Sequence, residues 1–202
     1  MPWSRLGVLA FVGASAAAAV AGFWQLNRYN ATPGESGAAV DWPDATGLDR
    51  ATDRSTVVVA LHPECGCSAA SVEELGAALA EMKRAPRVLL LFADYGLPGR
   101  APDQSPLWAA AASLPGATRV VDADARLAAR FGAATSGEIR VFEPAGRLVF
   151  AGGVTASRGH PGDSPARRGL VAAVDRPSGL TRMPVFGCSL GTPESERPVS
   201  RP

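Results

Sequence analysis

The sequence predicts an α/β fold in which a central mixed sheet is flanked by helices and preceded by an apolar N-terminal helix. Three observations predict it. Arg87 to Asp94 is a nearly unbroken apolar run, the mark of a strand buried on both faces of a parallel sheet. Segments with helical spacing alternate with short β-type runs, as crossover connections between parallel strands require. Glu138 to Glu143 and Arg147 to Ala151 are separated only by Pro144-Ala145-Gly146, which makes them an antiparallel hairpin and the sheet mixed.

The elements follow in order. No charged side chain occurs from Leu6 to Leu26, a length sufficient to cross a hydrocarbon core as a helix. Residues 1–28 therefore read as a membrane anchor or signal segment. The small residues Ala19-Val20-Ala21 suit signal cleavage, whereas Phe23, Trp24 and Leu26 continue the apolar run and favour an uncleaved anchor. Trp3 and Trp24 would then mark the two interfaces, and Arg5 against Glu35, Asp41 and Asp44 gives an inside-positive bias. The expected location is the bacterial inner membrane, single-pass, with the C-terminal domain in the periplasm; the alternative is secretion after cleavage.

Residues 29–54 are rich in Gly, Ala, Pro, Asp and Thr without periodicity and read as a linker with one early strand near Ala38 to Trp42. The folded domain is expected over 55–175. It opens with a strand at Ser55 to Leu61, followed by a cysteine loop and a helix carrying Val72, Leu75, Leu79 and Met82 on one face. Ser71 with Glu74, or Ser68, supplies its cap, and Pro86 stops it. After the Arg87 to Asp94 strand, Ser105-Pro106 begins a helix through Trp108 to Leu114. Thr118 to Val121 is a short strand, and Ala123 to Phe131 a helix ended by Gly132. The hairpin follows, then a helix from Ser164-Pro165 to Val174. Residues 176–202 read as an irregular tail carrying Cys188.

The 202-residue chain has a formal charge of +1 and one lysine, Lys83, so no basic stripe points to nucleic acid. Gly152-Gly153 lacks the glycine fingerprint of a dinucleotide site. The chemistry concentrates instead in His62-Pro63-Glu64-Cys65-Gly66-Cys67-Ser68, between a strand and a helix. Backbone N–H groups at a helix start favour an anion, which lowers a thiol's pKa and raises its nucleophilicity at neutral pH. Such a placement points to redox chemistry or metal capture.

The element order and the position of the cysteine loop resemble the thioredoxin-like superfamily, within it the membrane-anchored periplasmic branch of TlpA and ResA type. The resemblance runs from about Ser55 to Val174. Closer still, His62-Pro63-x-Cys65-x-Cys67-Ser68, Gly152-Gly153-Val154-Thr155 with Arg158-Gly159-His160, and Pro184-Val185-Phe186-Gly187-Cys188 are similar to bacterial RedB-like proteins. The chain departs from the thioredoxin pattern at two points. Only Gly66 separates Cys65 and Cys67, and Ala134-Thr135-Ser136-Gly137-Glu138 lacks the proline that thioredoxins place before the hairpin, facing the thiols.

What the resemblance implies is a thiol–disulfide oxidoreductase acting on protein thiols or disulfides. Cys65 is then the exposed attacking thiolate and Cys67 the thiol that resolves the mixed disulfide. Residues two apart on a helix face different ways, so this pair can bridge only if Cys65 stays outside the helix. His62 is a candidate for lowering the Cys65 pKa or moving a proton. Cys188 makes the cysteine count odd, and Val185-Phe186-Gly187 could dock the tail and bring Cys188 to the loop. No cofactor is required. The rival reading is copper binding or metallocentre assembly, with Cys65, Cys67, His62, Cys188 and His160 as soft sulfur and imidazole donors. A third is a redox-inactive adaptor that keeps the fold.

Overall fold

The computed structural model describes residues 5–38 and 40–191. The chain divides into two compact units, Met1–Thr32 and Pro33–Pro202. The first is helix α1, Arg5–Ala31, which has no preferred apolar face. Its Gly7–Ala31 portion is long and apolar enough to cross a membrane, with mean hydropathy 1.8 and no burial. The Arg28 guanidinium lies 5.5 Å from the Trp24 ring centre, a cation–π contact at the charged end of the span. Trp3, expected at the other end, lies outside the described residues.

Among the described residues the second unit is built on six strands: β1 Thr56–Leu61, β2 Arg87–Asp94, β3 Ala117–Ala123, β4 Glu138–Phe142, β5 Leu148–Gly152 and β6 Thr181–Arg182. They lie in the order β3-β2-β1-β4-β5-β6. β1, β2 and β3 run parallel, while β4 is antiparallel to both β1 and β5. With helices α2 Gly66–Glu81, α3 Pro106–Ala111, α4 Arg126–Arg130 and α5 Pro165–Asp175, this is the thioredoxin-like fold the element order predicted.

Successive side chains of a strand point to opposite faces, and here both faces are covered. Val57, Val59, Leu61, Val88, Leu90 and Phe92 meet Val72, Leu75 and Ala78 of α2 and Leu170 and Val174 of α5. On the other face Val58, Leu89 and Leu91 meet Phe131, Phe142 and Leu148. This is why β1 and β2 read as continuous apolar runs rather than alternating ones. Each such side chain withdrawn from water contributes about 1.5–3 kcal/mol, and β1 is buried at all six positions.

The second face required a cover that the sequence reading did not supply. Residues 34–38 and 40–51, expected to be part of a linker, are bound across it as a strap. Trp42 packs edge-on against Phe131 and Phe142, with ring centres 5.0 and 5.2 Å away. Trp42 N donates to Gly146 O, Asp41 accepts from Leu148 N, and Arg50 donates to the Pro144 carbonyl. Residues 40–42 form no strand, and Ala39 of the expected early strand lies outside the described residues. The absence of periodicity had a physical cause: the strap is held by backbone and isolated side-chain contacts, which leave no repeat.

Two helices are shorter than their sequence patterns. α3 ends at Ala111, although Ser105 caps it as expected by accepting from Trp108 N. α4 begins only at Arg126, because buried Asp122 accepts from Leu127 N and Ala128 N while Asp124 and Ala125 turn left-handed. Gly132 ends this helix region with φ 73°, as predicted. α5 starts with Ser164 accepting from Arg167 N, also as predicted.

Candidate functional site: three sulfurs at the start of α2

β1 ends at Leu61 and the chain turns through His62 to Glu64, closed by Cys65 N donating to His62 O. Cys65 is the residue before α2, in extended conformation, and its carbonyl accepts from Ser68 N and Ala69 N. Gly66 and Cys67 lie in the first turn. The condition for Cys65 and Cys67 to approach each other is therefore met. No side chain caps α2. Ser68 instead accepts from His62 N and bonds Ser136, while Glu74, expected in a capping box, is buried and accepts from Gly162 N and Arg167.

The tail completes the site. Met183 N donates to Ala151 O, Gly153 N to Pro184 O, and Gly34 N to Val185 O. Val185, Phe186 and Leu190 are buried. Residue 189 forms an antiparallel bridge with Thr135, flanked by Ser136 N donating to Cys188 O at 2.8 Å and Leu190 N to Ala134 O at 2.9 Å. The Tyr95 hydroxyl donates to Leu190 O, and Arg158 to Gly187 O. Residues 183–190 are thus ordered against the body, not irregular as expected, because main-chain hydrogen bonds rather than an apolar repeat hold them. Residues 192–202 of the expected tail lie outside the described residues.

This brings Cys188 Sγ to 2.9 Å from Cys65 Sγ, and the three cysteine sulfurs lie within 4.8 Å of one another. All three are free thiols. Cys65, expected to be the exposed one, is only 9% exposed; Cys67 is half-buried and Cys188 exposed. The reversal follows from the tail, which lies over the loop. Cys65 still borders an open groove of about 620 Å³ shared with Pro63, Glu64, Arg100, Pro106 and Leu107.

The thiols differ electrostatically. Burial works to raise the Cys65 pKa, but the hydrogen bond from Cys188 and backbone N–H groups around the helix start outweigh it, and the thiol is lowered from its ordinary value of 9.0. Burial and the charge on Cys65 raise Cys67. Cys188 is pushed up to about 12, first by the partial desolvation of its thiol and then by donating to Cys65. The Arg158 guanidinium opposes the rise at both Cys67 and Cys188. Glu64, next to Cys65 in the loop, is exposed and paired with Arg100 at 2.9 Å.

Neither histidine belongs to the cluster of three sulfurs. His62 Nδ1 accepts from Glu64 N, and its ring lies 5.6 Å from that of Tyr95. His160 is exposed, with Nδ1 against the Arg158 carbonyl. Among the described residues the close donor cluster is Cys65, Cys67 and Cys188 alone. The five-donor metal set expected from the sequence is therefore reduced to three sulfurs. Sequence reasoning gave no role to Ser136, Tyr95 or Arg158, whose contributions depend on pairing across more than twenty residues.

No protein-family model matches the chain, and a search of curated proteins gives no match. Among solved structures, an uncharacterized conserved protein from Geobacillus kaustophilus aligns with TM-score 0.59 and 18% identity, over 82% of this chain and 93% of that one. A hypothetical protein from Sinorhizobium meliloti aligns with TM-score 0.49 and 20% identity, over 79% and 93%. A secreted disulfide oxidoreductase from Mycobacterium tuberculosis aligns with TM-score 0.38 and 14% identity, over 60% and 80%. The first of these likenesses is one of fold.

Proposed function

We propose that the protein is an exported thiol–disulfide exchange protein acting on protein thiols or disulfides, with Cys65 as its central sulfur. The observation that carries this reading is the Cys65 thiol, lowered in pKa at the start of α2, with two further thiols within 4.8 Å. A thiolate with a second thiol in reach both attacks a disulfide and escapes the mixed disulfide that results. Cys67 and Cys188 are both placed to perform the second step, and His62 lines the same loop as a candidate proton carrier. α1 supports membrane attachment, and with it the inner-membrane location with the domain in the periplasm, where disulfides persist. The finer likeness to RedB-like proteins is supported by the meeting of its three motif stretches, since Gly153 contacts Pro184, Arg158 contacts Gly187 and Cys65 contacts Cys188.

The test is equilibration of the full chain in detergent with glutathione redox buffers, followed by alkylation and mass measurement. Interconversion of dithiol and disulfide forms is expected, with loss in Cys65→Ser. A chain whose cysteines all stay reduced across the buffer series overturns the reading.

The three-sulfur cluster favours one second reading, capture of Cu(I) by thiolates. Stoichiometric Cu(I) on the reduced chain, abolished by Cys65→Ser and unaffected by His160→Ala, would support it.

A further inference from the structure

Cys188 is 123 residues from Cys65 in sequence, yet its sulfur lies 2.9 Å from that of Cys65. The contact is held in place by the antiparallel bridge at 189, by hydrogen bonds on both sides of it, and by Tyr95 and Arg158 on the carbonyls of Leu190 and Gly187. Gly187 is the point of closest approach. A β-carbon there would run into the Ser136 carbonyl oxygen and lie 2.9 Å from its carbon. The tail therefore lies against the 134–136 segment as an added extended strand, which carries Cys188 to Cys65.

Resting on the exchange reading above, we propose that the working disulfide joins Cys65 to Cys188 rather than to Cys67, and that an incoming substrate thiol attacks it at Cys188. Two independent properties agree. Cys188 is an exposed residue whereas Cys65 is 9% exposed, so an incoming thiol approaches the pair from the Cys188 side. Exchange is also fastest when the sulfur that leaves is the better stabilised thiolate, and the backbone N–H groups of Cys67 and Ser68 at the start of α2 stabilise the charge that departs on Cys65.

The electrons balance against a dithiol substrate. Its thiolate forms a bond to Cys188 Sγ, the Cys65–Cys188 bond breaks, and the electron pair leaves on Cys65 as thiolate. The substrate's second thiolate then attacks its own sulfur in the mixed disulfide, releasing Cys188, which takes up a proton. The substrate is oxidised to a disulfide and the protein is reduced by two electrons. The reverse sequence reduces a substrate disulfide.

Trypsin separates the relevant cysteines, since Arg197 and Arg201 each precede a proline and are not cut, so that Cys188 falls in peptide 183–202 and Cys65 and Cys67 in 55–83. The full chain in detergent is oxidised with glutathione disulfide, treated briefly with reduced glutathione, quenched in acid, alkylated and mapped. The expected result is a link between the two peptides in the oxidised chain, and glutathione on Cys188 with alkyl on Cys65 after the pulse. Gly187→Ala, which touches no cysteine, is expected to lower the equilibrium constant for forming the disulfide at least about ten-fold, by reducing the effective concentration of Cys188 at Cys65. A Cys65–Cys67 link, or glutathione on Cys65 with Cys188 alkylated, overturns this inference and leaves exchange standing. Absence of any exchange overturns both.

Discussion

At the scale of the residue, the decisive property is the opposite displacement of two neighbouring thiols. A group whose folded pKa is depressed keeps its charge as pH falls below the ordinary value, and the associated stabilisation is lost only as pH drops through the depressed pKa. For Cys65 the window therefore lies below 9.0, while Cys188, pushed up to about 12, is protonated throughout it. Alkylation of the reduced chain from pH 9 downward should accordingly find Cys65 the last thiol to lose reactivity with iodoacetamide, corrected for access by comparison with its rate at pH 9. Cys188→Ala removes the donor to Cys65 and should shift this profile to higher pH. A second residue-level prediction concerns Arg140, fully buried and bonded at 2.7 Å to fully buried Glu138. Burial draws this guanidinium down from its ordinary value, and Glu138 opposes the fall. Arg140→Met leaves the carboxylate buried without its partner, and urea unfolding should register a loss of about 3–5 kcal/mol.

At the scale of the element, the strap and the tail do work that neither α-helical nor β-strand periodicity announces. Glu138 accepts from Ser36 and from the backbone of Ala134 and Thr135, and Arg140 donates to the Ala38 carbonyl. The strap, the loop before β4 and the bridge that carries Cys188 are thereby one connected structure. Trp42→Ala should cost about 3 kcal/mol, the lower end for truncating a large aromatic because Trp42 is half-buried. The central strands and their two helical covers were legible because burial on both faces imposes long apolar runs and 3.6-residue spacing. β2 was bounded to the residue for that reason. Gly37 shows why the strap was not. It reads as one more linker glycine, yet a β-carbon there would come within 2.5 Å of the Gly132 carbonyl, ninety-five positions away. The cysteine loop was legible from its place between β1 and α2, and the docking of Cys188 from the apolar pair before it. The burial of Cys65 was not, since it depends on where a strand of main-chain hydrogen bonds comes to rest.

At the scale of the whole molecule, a Cys65–Cys188 bond would close a loop spanning nearly all of the folded unit. By loop entropy alone a ring of that length stabilises by about 5 kcal/mol, against less than about 2 for the few-residue Cys65–Cys67 ring. Thermal unfolding of the oxidised chain should therefore rise by roughly 10 °C over the reduced one, given the shift per kcal/mol of a domain this size. A rise of no more than about 4 °C would indicate the short ring. The dependence of the site on its distal segment also has a consequence for biogenesis. Every strand of the sheet precedes residue 188 in the chain, so the ribosome delivers the third sulfur after all the parts that must receive it. A nascent or prematurely terminated polypeptide displays the two loop thiols without their counterpart, and only a finished translation product can acquire the long-range link.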